Sequence, residues 1–174
     1  LIPQGTGSDF RRTIKIPPDE AGAILTIRNG NTIDLDVMRV TYRRHDGSDG
    51  TRYAANLTSF GMGGAVATRV NRSRKPLGGT AAFLVATALT TVGFRGDTVS
   101  LQTDEDEFKD LLVTNVAIGN GQYHGAGMLV CPRAVVDDGL LDITIIEKMS
   151  PWELIRSIAL LYNGNVYKHP KVHY

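Results

Sequence analysis

The 174 residues are 42% hydrophobic and 21% charged, with a formal net charge of +1, an ordinary composition for about one globular domain. This balance excludes a nucleic-acid binder that works through bulk charge. The single cysteine, Cys131, excludes an internal disulfide and a thiolate metal cage, and fits a reducing compartment.

The charge is unevenly spread. Residues 1–75 hold 12 Lys/Arg against 7 Asp/Glu, and residues 76–174 hold 7 against 11. The cluster Arg69, Arg72, Arg74, Lys75 reads either as a solvated helix end or as a contact for an anionic membrane surface. His45, His124, His169 and His173 show no zinc-ligand spacing. The most apolar stretch, Leu77 to Val92, is shorter than the ~20 residues a bilayer requires. It reads as a buried core helix, so any contact with lipid is expected to be peripheral.

Leu1-Ile2-Pro3-Gln4-Gly5 looks like a strand end entering a turn, so the chain is expected to begin inside a domain. Gly5-Thr6-Gly7-Ser8-Asp9 then opens a short helix, Phe10 to Ile14, ended by Pro17-Pro18. Pro18 or Asp19 starts a second helix, Glu20 to Arg28, closed by Asn29-Gly30. Thr32 to Tyr42 alternates Ile33, Leu35 and Val37 with Asp34 and Asp36, the signature of a half-buried strand. Residues His45 to Gly50 form a hairpin loop, and Thr51 to Phe60 the returning strand.

Gly61-Met62-Gly63-Gly64 leads into a helix through Ala65, Val66 and Val70, followed by the Leu77–Val92 helix. Thr98 to Thr103 and Phe108 to Gly119 read as strands joined by the acidic turn Asp104–Glu107. Met128 to Cys131 is a short strand, and Leu140 to Ile146 a stronger one alternating Leu141, Ile143 and Ile145. Pro151 to Leu161 closes as an amphipathic helix with Trp152, Ile155 and Ile158 on one face. A boundary falls near Asn31, where helical punctuation gives way to strands.

Two constellations carry chemistry. Glycines let a backbone turn sharply and approach a ligand, and a helix N-terminus aims free N–H groups at an anion. Gly5, Thr6, Gly7, Ser8 and Asp9 therefore form a candidate phosphate turn, with Asp9 suited to Mg²⁺ or a substrate hydroxyl. The plainer reading makes Ser8 or Asp9 a helix N-cap. The second constellation is Asn120, Gly121, Gln122, Tyr123, His124, Gly125, Ala126 and Gly127, followed by Pro132-Arg133-Ala134-Val135-Val136-Asp137-Asp138-Gly139-Leu140-Leu141-Asp142. Asp137-Asp138-Gly139 is a strong turn signal, and its carboxylates and carbonyls are also hard oxygen donors.

Five segments in order resemble the bacterial diacylglycerol kinase-like lipid kinases, relatives of sphingosine and ceramide kinases. Pro3 to Arg12 is similar to that family's P-x-G-T-x-N-D-F-A-R, and Asn56 to Ala65 to N-x-x-S-x-G-x-G-A/G. Asn115 to Gly127 is similar to N-x-x-x-x-N-G-x-Y-x-G-G-G, Ala134 to Asp142 to A-x-x-D-D-G-x-L-D, and His169-Pro170-Lys171-Val172 to H-P-K-V. Ser8 departs from the family's Asn and Arg11 from its Ala.

The resemblance implies an α+β fold. Residues 1–30 would be the tail of an NAD kinase-like nucleotide-binding α/β domain, and residues 31–174 most of a mostly antiparallel, β-sandwich-like lipid-side domain. It implies ATP and Mg²⁺ as cofactors, a lipid hydroxyl as acceptor, and in-line phosphoryl transfer. Gly5, Thr6, Gly7, Ser8 and Asp9 would face the ATP phosphates and metal. Asp138, with the carbonyls of Val135 and Leu140, would hold a structural Mg²⁺. Gly61, Gly63, Gly64, Asn120, Gly121, Tyr123, Gly125 and Gly127 would line the substrate cleft. The family's G-G-D-G-T nucleotide loop would precede residue 1, and its D-G-E segment with the general base would follow residue 174, so this stretch alone is expected to be inactive. The expected setting is cytoplasmic, peripheral at the inner membrane face, with a homodimer allowed and no nucleic acid. A catalytically inactive lipid- or nucleotide-binding module, or an NAD kinase relative, would share many of these features.

Overall fold

A computed structural model describes residues 1–3, 8–30, 32–72 and 79–174, and of residues 79–84 the backbone alone. Helix α1 covers Asp9–Thr13 and α2 covers Glu20–Arg28. Asp19 caps α2 by accepting the Gly22 N–H at 2.8 Å, and Gly30 follows in the left-handed region that ends helices. Both short helices appear within a residue of where the punctuation places them.

The strands are antiparallel in every described pair. Strands β1 (Met38–Arg43) and β2 (Asp49–Ala54) form an isolated hairpin. The main sheet is built on β5 (Glu107–Gly119), flanked by β8 (Asp142–Glu147), which in turn pairs with β9 (Val172–His173). The other edge of β5 carries β3 (Leu57–Gly61) along its end half and β4 (Asp97–Gln102) along its first half. Val113 pairs with both Asp97 and Glu147, which puts β4 and β8 on opposite edges of β5. A two-stranded ribbon, β6 (Tyr123–His124) with β7 (Met128–Leu129), completes the strands.

Burial follows the pleat, because successive side chains leave a strand on opposite faces. Val116 and Ile145 sit opposite each other in a cluster with Val113 on one face. Ala117 on the other face packs with Val130, Cys131 and Ala134, joined by Leu57, Met128 and Leu161. Burial pushes the Cys131 thiol up to about 12, so it acts as a core side chain and not as a nucleophile.

Helices α3 (Met62–Arg72) and α4 (Gly79–Gly93) follow β3. Arg69 and Arg72 stand exposed in the last turn of α3, whereas Arg74 and Lys75 lie outside the described residues. Leu77 and Gly78 do as well. The expectation that α4 is a core helix does not hold for its described half: Ala86 and Thr90 are buried, but Val85, Leu89 and Val92 face outward.

Three further expectations change. The alternating run from Thr32 is not a strand until Met38; Ile33 and Val37 are exposed, and the Asp36 amide bonds to the Val136 carbonyl at 2.8 Å. The stretch from Thr51 to Phe60 is two strands in two sheets, broken at residues 55–56 because backbone groups there bond to residues 120 and 121. In α5 (Pro151–Tyr162), Trp152, Ile155 and Ile158 point outward. Its inward side is a second apolar stripe, Leu154, Leu160 and Leu161, fitted to a small pocket with Ile146, Met149 and Val166. Helical period alone does not say which of two apolar stripes meets the sheet.

Helix α5 begins with a complete capping box. Ser150 Oγ accepts the Glu153 N–H at 3.3 Å, and Glu153 Oε2 accepts the Ser150 N–H at 2.8 Å. Lys171 Nζ lies 2.7 Å from Glu153 Oε1. That bond, with the Ser150 bonds, holds the Glu153 carboxyl down at about 2. Its stabilising effect is therefore complete above the ordinary carboxylate range and fades as pH falls toward about 2. Ser150→Ala is expected to reduce stability by about 1 kcal/mol and the Tm by roughly 2–4 °C in a circular-dichroism melt; an unchanged Tm would show that the cap is redundant with helix packing.

Candidate functional site

The site grows from the end of β5. Asn120, the residue after that strand, is fully buried. Its Nδ2 group directs two N–H bonds at three carbonyls: Asp36 at 2.8 Å, Ala55 at 3.2 Å and Val136 at 3.4 Å. One side chain thereby ties together the segment before β1, the β2–β3 connection and the loop before β8. Part-buried carbonyls gain from such partners, since a fully buried one left unsatisfied costs about 1–3 kcal/mol.

The same connection holds the next residues. The Asn56 carbonyl accepts the Asn120 N–H at 2.8 Å and the Gly121 N–H at 2.7 Å. Asn56 Nδ2 donates to the Tyr123 carbonyl at 3.1 Å. The Gln122 carbonyl receives the amides of Val130 and Cys131, which closes the β6–β7 ribbon, and its side chain donates to the Ala134 carbonyl at 3.1 Å.

Helix α1 docks onto this loop. Thr13 Oγ1 accepts the Gln122 N–H at 3.1 Å, and Asp9 Oδ2 accepts the Ala126 N–H at 3.0 Å. Arg12 lies 3.9 Å from Asp9 Oδ1, with its guanidinium over Gly127. His124 sits beside Asp9; burial lowers its pKa from the ordinary imidazole value, and the Asp9 charge opposes that shift only in part. The imidazole is consequently neutral at neutral pH.

Ser8 occupies the cap position of α1 at a φ of 47° and makes no side-chain cap hydrogen bond. Asp9 reaches across to the loop and does not cap its own helix. Gly5, Thr6 and Gly7 lie outside the described residues. What the structure brings together is therefore the helix that follows the candidate phosphate turn and the glycine-rich stretch containing Asn120, Gly121, Tyr123, Gly125 and Gly127.

The other glycine group stands apart. Gly61 ends β3 opposite Asn115, whereas Leu57 at the other end of β3 lies opposite Gly119. By strand rise, Gly61 is roughly 13 Å from the Asn120 end. Its φ of 91° and a Cβ position 2.7 Å from the Thr114 carbonyl require glycine there. Gly63 donates its N–H to Asn115 Oδ1 at 3.0 Å, and Gly64 faces open space.

The loop before β8 is held by carboxylates. Asp138 Oδ1 accepts the Leu140 N–H at 3.0 Å, a turn closed by its own side chain. Asp36 Oδ2 accepts the neighbouring Gly139 N–H at 2.7 Å. Val135, Asp138 and Leu140 are exposed. Among the described residues, no group of three or more His, Cys, Asp or Glu could hold a metal ion. The loop instead offers carboxylate and carbonyl oxygens, the donor type that Mg²⁺ takes. Asp36 and Thr13 are contributors that the motif reading passed over. Asp36 was hidden because its alternation with apolar neighbours imitates the polar face of a strand.

Residues 56–174 match the family model for the YegS C-terminal NAD kinase beta sandwich-like domain, and the chain belongs to that family. A "Probable lipid kinase YegS-like" protein from Xanthomonas campestris pv. campestris (strain 8004) is 30% identical over 165 residues, 94% of this chain and 51% of its own length. A "Diacylglycerol kinase" from Mycobacterium tuberculosis (strain CDC 1551 / Oshkosh) is 30% identical over 171 residues, 94% and 52% of the two chains. The chain thus spans about half the length of the curated relatives it matches. A crystal structure of a diacylglycerol kinase from Bacillus anthracis str. Sterne superimposes with a TM-score of 0.53 at 22% identity, covering 93% of this chain and 44% of its own. A second structure from that strain reaches 0.62 at 21% identity, covering 99% and 54%. Both likenesses establish the fold.

The keystone role of Asn120 is measurable. Asn120→Ala removes the donor to the Asp36 and Ala55 carbonyls, leaves the Val136 carbonyl with the Asp36 amide alone, and is expected to lower unfolding stability by about 2–4 kcal/mol in urea titration. A loss below about 0.5 kcal/mol, the range of surface substitutions, would overturn it.

Proposed function

We propose that this chain supplies the lipid-side part of an ATP-dependent lipid kinase, which transfers the γ-phosphate of ATP to the hydroxyl of diacylglycerol or a related lipid. The observation that carries the reading is the docking of α1 on residues 120–127 through Asp9 and Thr13. That junction sets the helix after the candidate phosphate turn against the candidate lipid cleft, as phosphoryl transfer between two bound substrates requires. The names of the relatives, lipid kinase and diacylglycerol kinase, support the same chemistry.

In this reading residues 5–9 face the ATP phosphates. Backbone N–H groups near the start of α1 offer donors to them, and Asp9 keeps the helix seated by its bond to the Ala126 amide. ATP supplies the phosphoryl group. The chain supplies orientation, which together with charge neutralisation is the main source of acceleration in this reaction class. Because Ser8 and Arg11 depart from the family pattern, an inactive lipid- or nucleotide-binding module of the same fold is the competing reading. No helix among the described residues is long and apolar enough to cross a membrane.

The complete protein, supplied with ATP, Mg²⁺ and a panel of hydroxylated lipids, is expected to release radiolabelled phospholipid, whereas residues 1–174 alone transfer nothing. Absence of transfer by the complete protein, with ATP or lipid still bound, would favour the inactive module; turnover by residues 1–174 would overturn the division of labour.

Asp138, with the carbonyls of Val135 and Leu140, would hold a Mg²⁺ ion that shapes the loop before β8. Asp138→Ala is then expected to abolish the Mg²⁺-dependent rise in Tm. A rise equal to that of the wild type would leave Asp138 as the closure of a turn only.

A further inference from the structure

We infer that Asn56 is a positioning residue for the lipid-phosphorylating site, holding residues 120–123 in the shape that the cleft requires. The inference rests on the kinase reading for its chemistry and on hydrogen-bond geometry for its mechanism.

Asn56 meets the loop in three ways. Its carbonyl takes two successive amides, those of Asn120 and Gly121. Its Nδ2 donates to the Tyr123 carbonyl. Its Oδ1 is buried, makes no protein hydrogen bond, and fills the space beside Gly121, where a Cβ would come within 2.1 Å of it. Gly121 is thus glycine because Asn56 stands there, and the Asn56 amide is oriented because only Nδ2 can face the Tyr123 carbonyl. Aspartate has the same shape and no donor. Serine is too short to span the loop, and glutamine carries one methylene too many for a space already closed by Gly121.

The position of Asn56 in the chain gives this lock its leverage. The residue immediately precedes β3, whose first residue, Leu57, is in register with Gly119 at the end of β5. Asn56 is therefore set by the main sheet. The loop it holds is gripped from the other side by α1, through Thr13 at Gln122 and Asp9 at Ala126. A displacement of residues 120–123 would move the cleft relative to α1, and a misplacement on the order of 1 Å can cost about 100-fold in rate.

The test uses the complete protein with ATP, Mg²⁺ and vesicles containing diacylglycerol. Asn56→Asp places a carboxylate oxygen against the Tyr123 carbonyl, so kcat is expected to fall roughly 10- to 100-fold while KM for ATP stays unchanged. Protonation of the new carboxyl restores a donor, so activity relative to wild type should recover as pH falls through its titration. A merely structural role would lower Tm without that pH-dependent recovery.

Should Asn56→Asp fail to fold, a mutant cycle decides the matter. Gly121→Ala should lower Tm sharply. Asn56→Ala with Gly121→Ala should regain much of that Tm, because the side chain that clashed is gone, yet stay as slow as Asn56→Ala alone. Unchanged kcat in Asn56→Asp, or full kcat in the double variant, would overturn the inference and leave the kinase reading intact. If the wild type phosphorylates no lipid, the kinase reading fails separately. Amide exchange then judges the lock: faster exchange confined to residues 120–123 in Asn56→Asp sustains it, and no change removes it.

Discussion

A buried amide NH2 group needs acceptors, and the Nδ2 group of Asn120 finds them by drawing three stretches of backbone to the end of one strand. The consequences spread outward. The carbonyls of Asp36 and Ala55 are drawn to it, so the chain on either side of the β1–β2 hairpin converges there. Asn56 follows Ala55 and takes the amides of Asn120 and Gly121, which separates β2 from β3 and sends the chain from one sheet into another. The Val136 carbonyl anchors the loop that feeds β8. Much of the irregular structure in this protein is irregular because its backbone groups are committed to this one point.

The candidate site inherits that arrangement. Residues 120–127 leave β5 as a tight, glycine-rich loop, return as the β6–β7 ribbon, and present Gln122 and Ala126 amides to α1. Their partners, Thr13 and Asp9, lie in the first thirteen residues, more than a hundred positions away in the chain. The site therefore joins the helix beyond a candidate anion turn to a loop stiffened from the sheet. In the proposed kinase reading, one side of that junction takes the phosphate donor and the other the hydroxyl acceptor. Gly61 and Gly63, grouped with this loop by motif, serve the β3–α3 corner at the opposite end of the strand.

Elements whose signals are local were legible in advance. Helix α2 has its cap residue and its terminating Asn29-Gly30 in adjacent sequence, and α5 has Ser150, Pro151 and Glu153 in the spacing of a capping box. Strands β5 and β8 carry long apolar runs that only a buried sheet can use. The run from residue 32 was misleading, since alternation is equally compatible with an extended segment whose amides are claimed elsewhere. In α5 the apolar face bearing Trp152 is the exposed one, and the pocket beside Met149 and Val166 accepts the leucines.

Sequence by itself determined most of the helices and strands and the five ordered segments that mark the family, because caps, turns and motif spacings are written in neighbouring residues. Tertiary structure alone decided which of those segments meet. Asp36 looks like an ordinary polar residue in the chain, and the importance of Asp36, Asn56 and Asn120 comes from partners up to 103 positions distant. Long-range hydrogen bonds to backbone carbonyls leave no spacing signal, since any residue offers the same carbonyl. The separation of the two glycine groups along β3 was likewise invisible until the register of β3 against β5 was known.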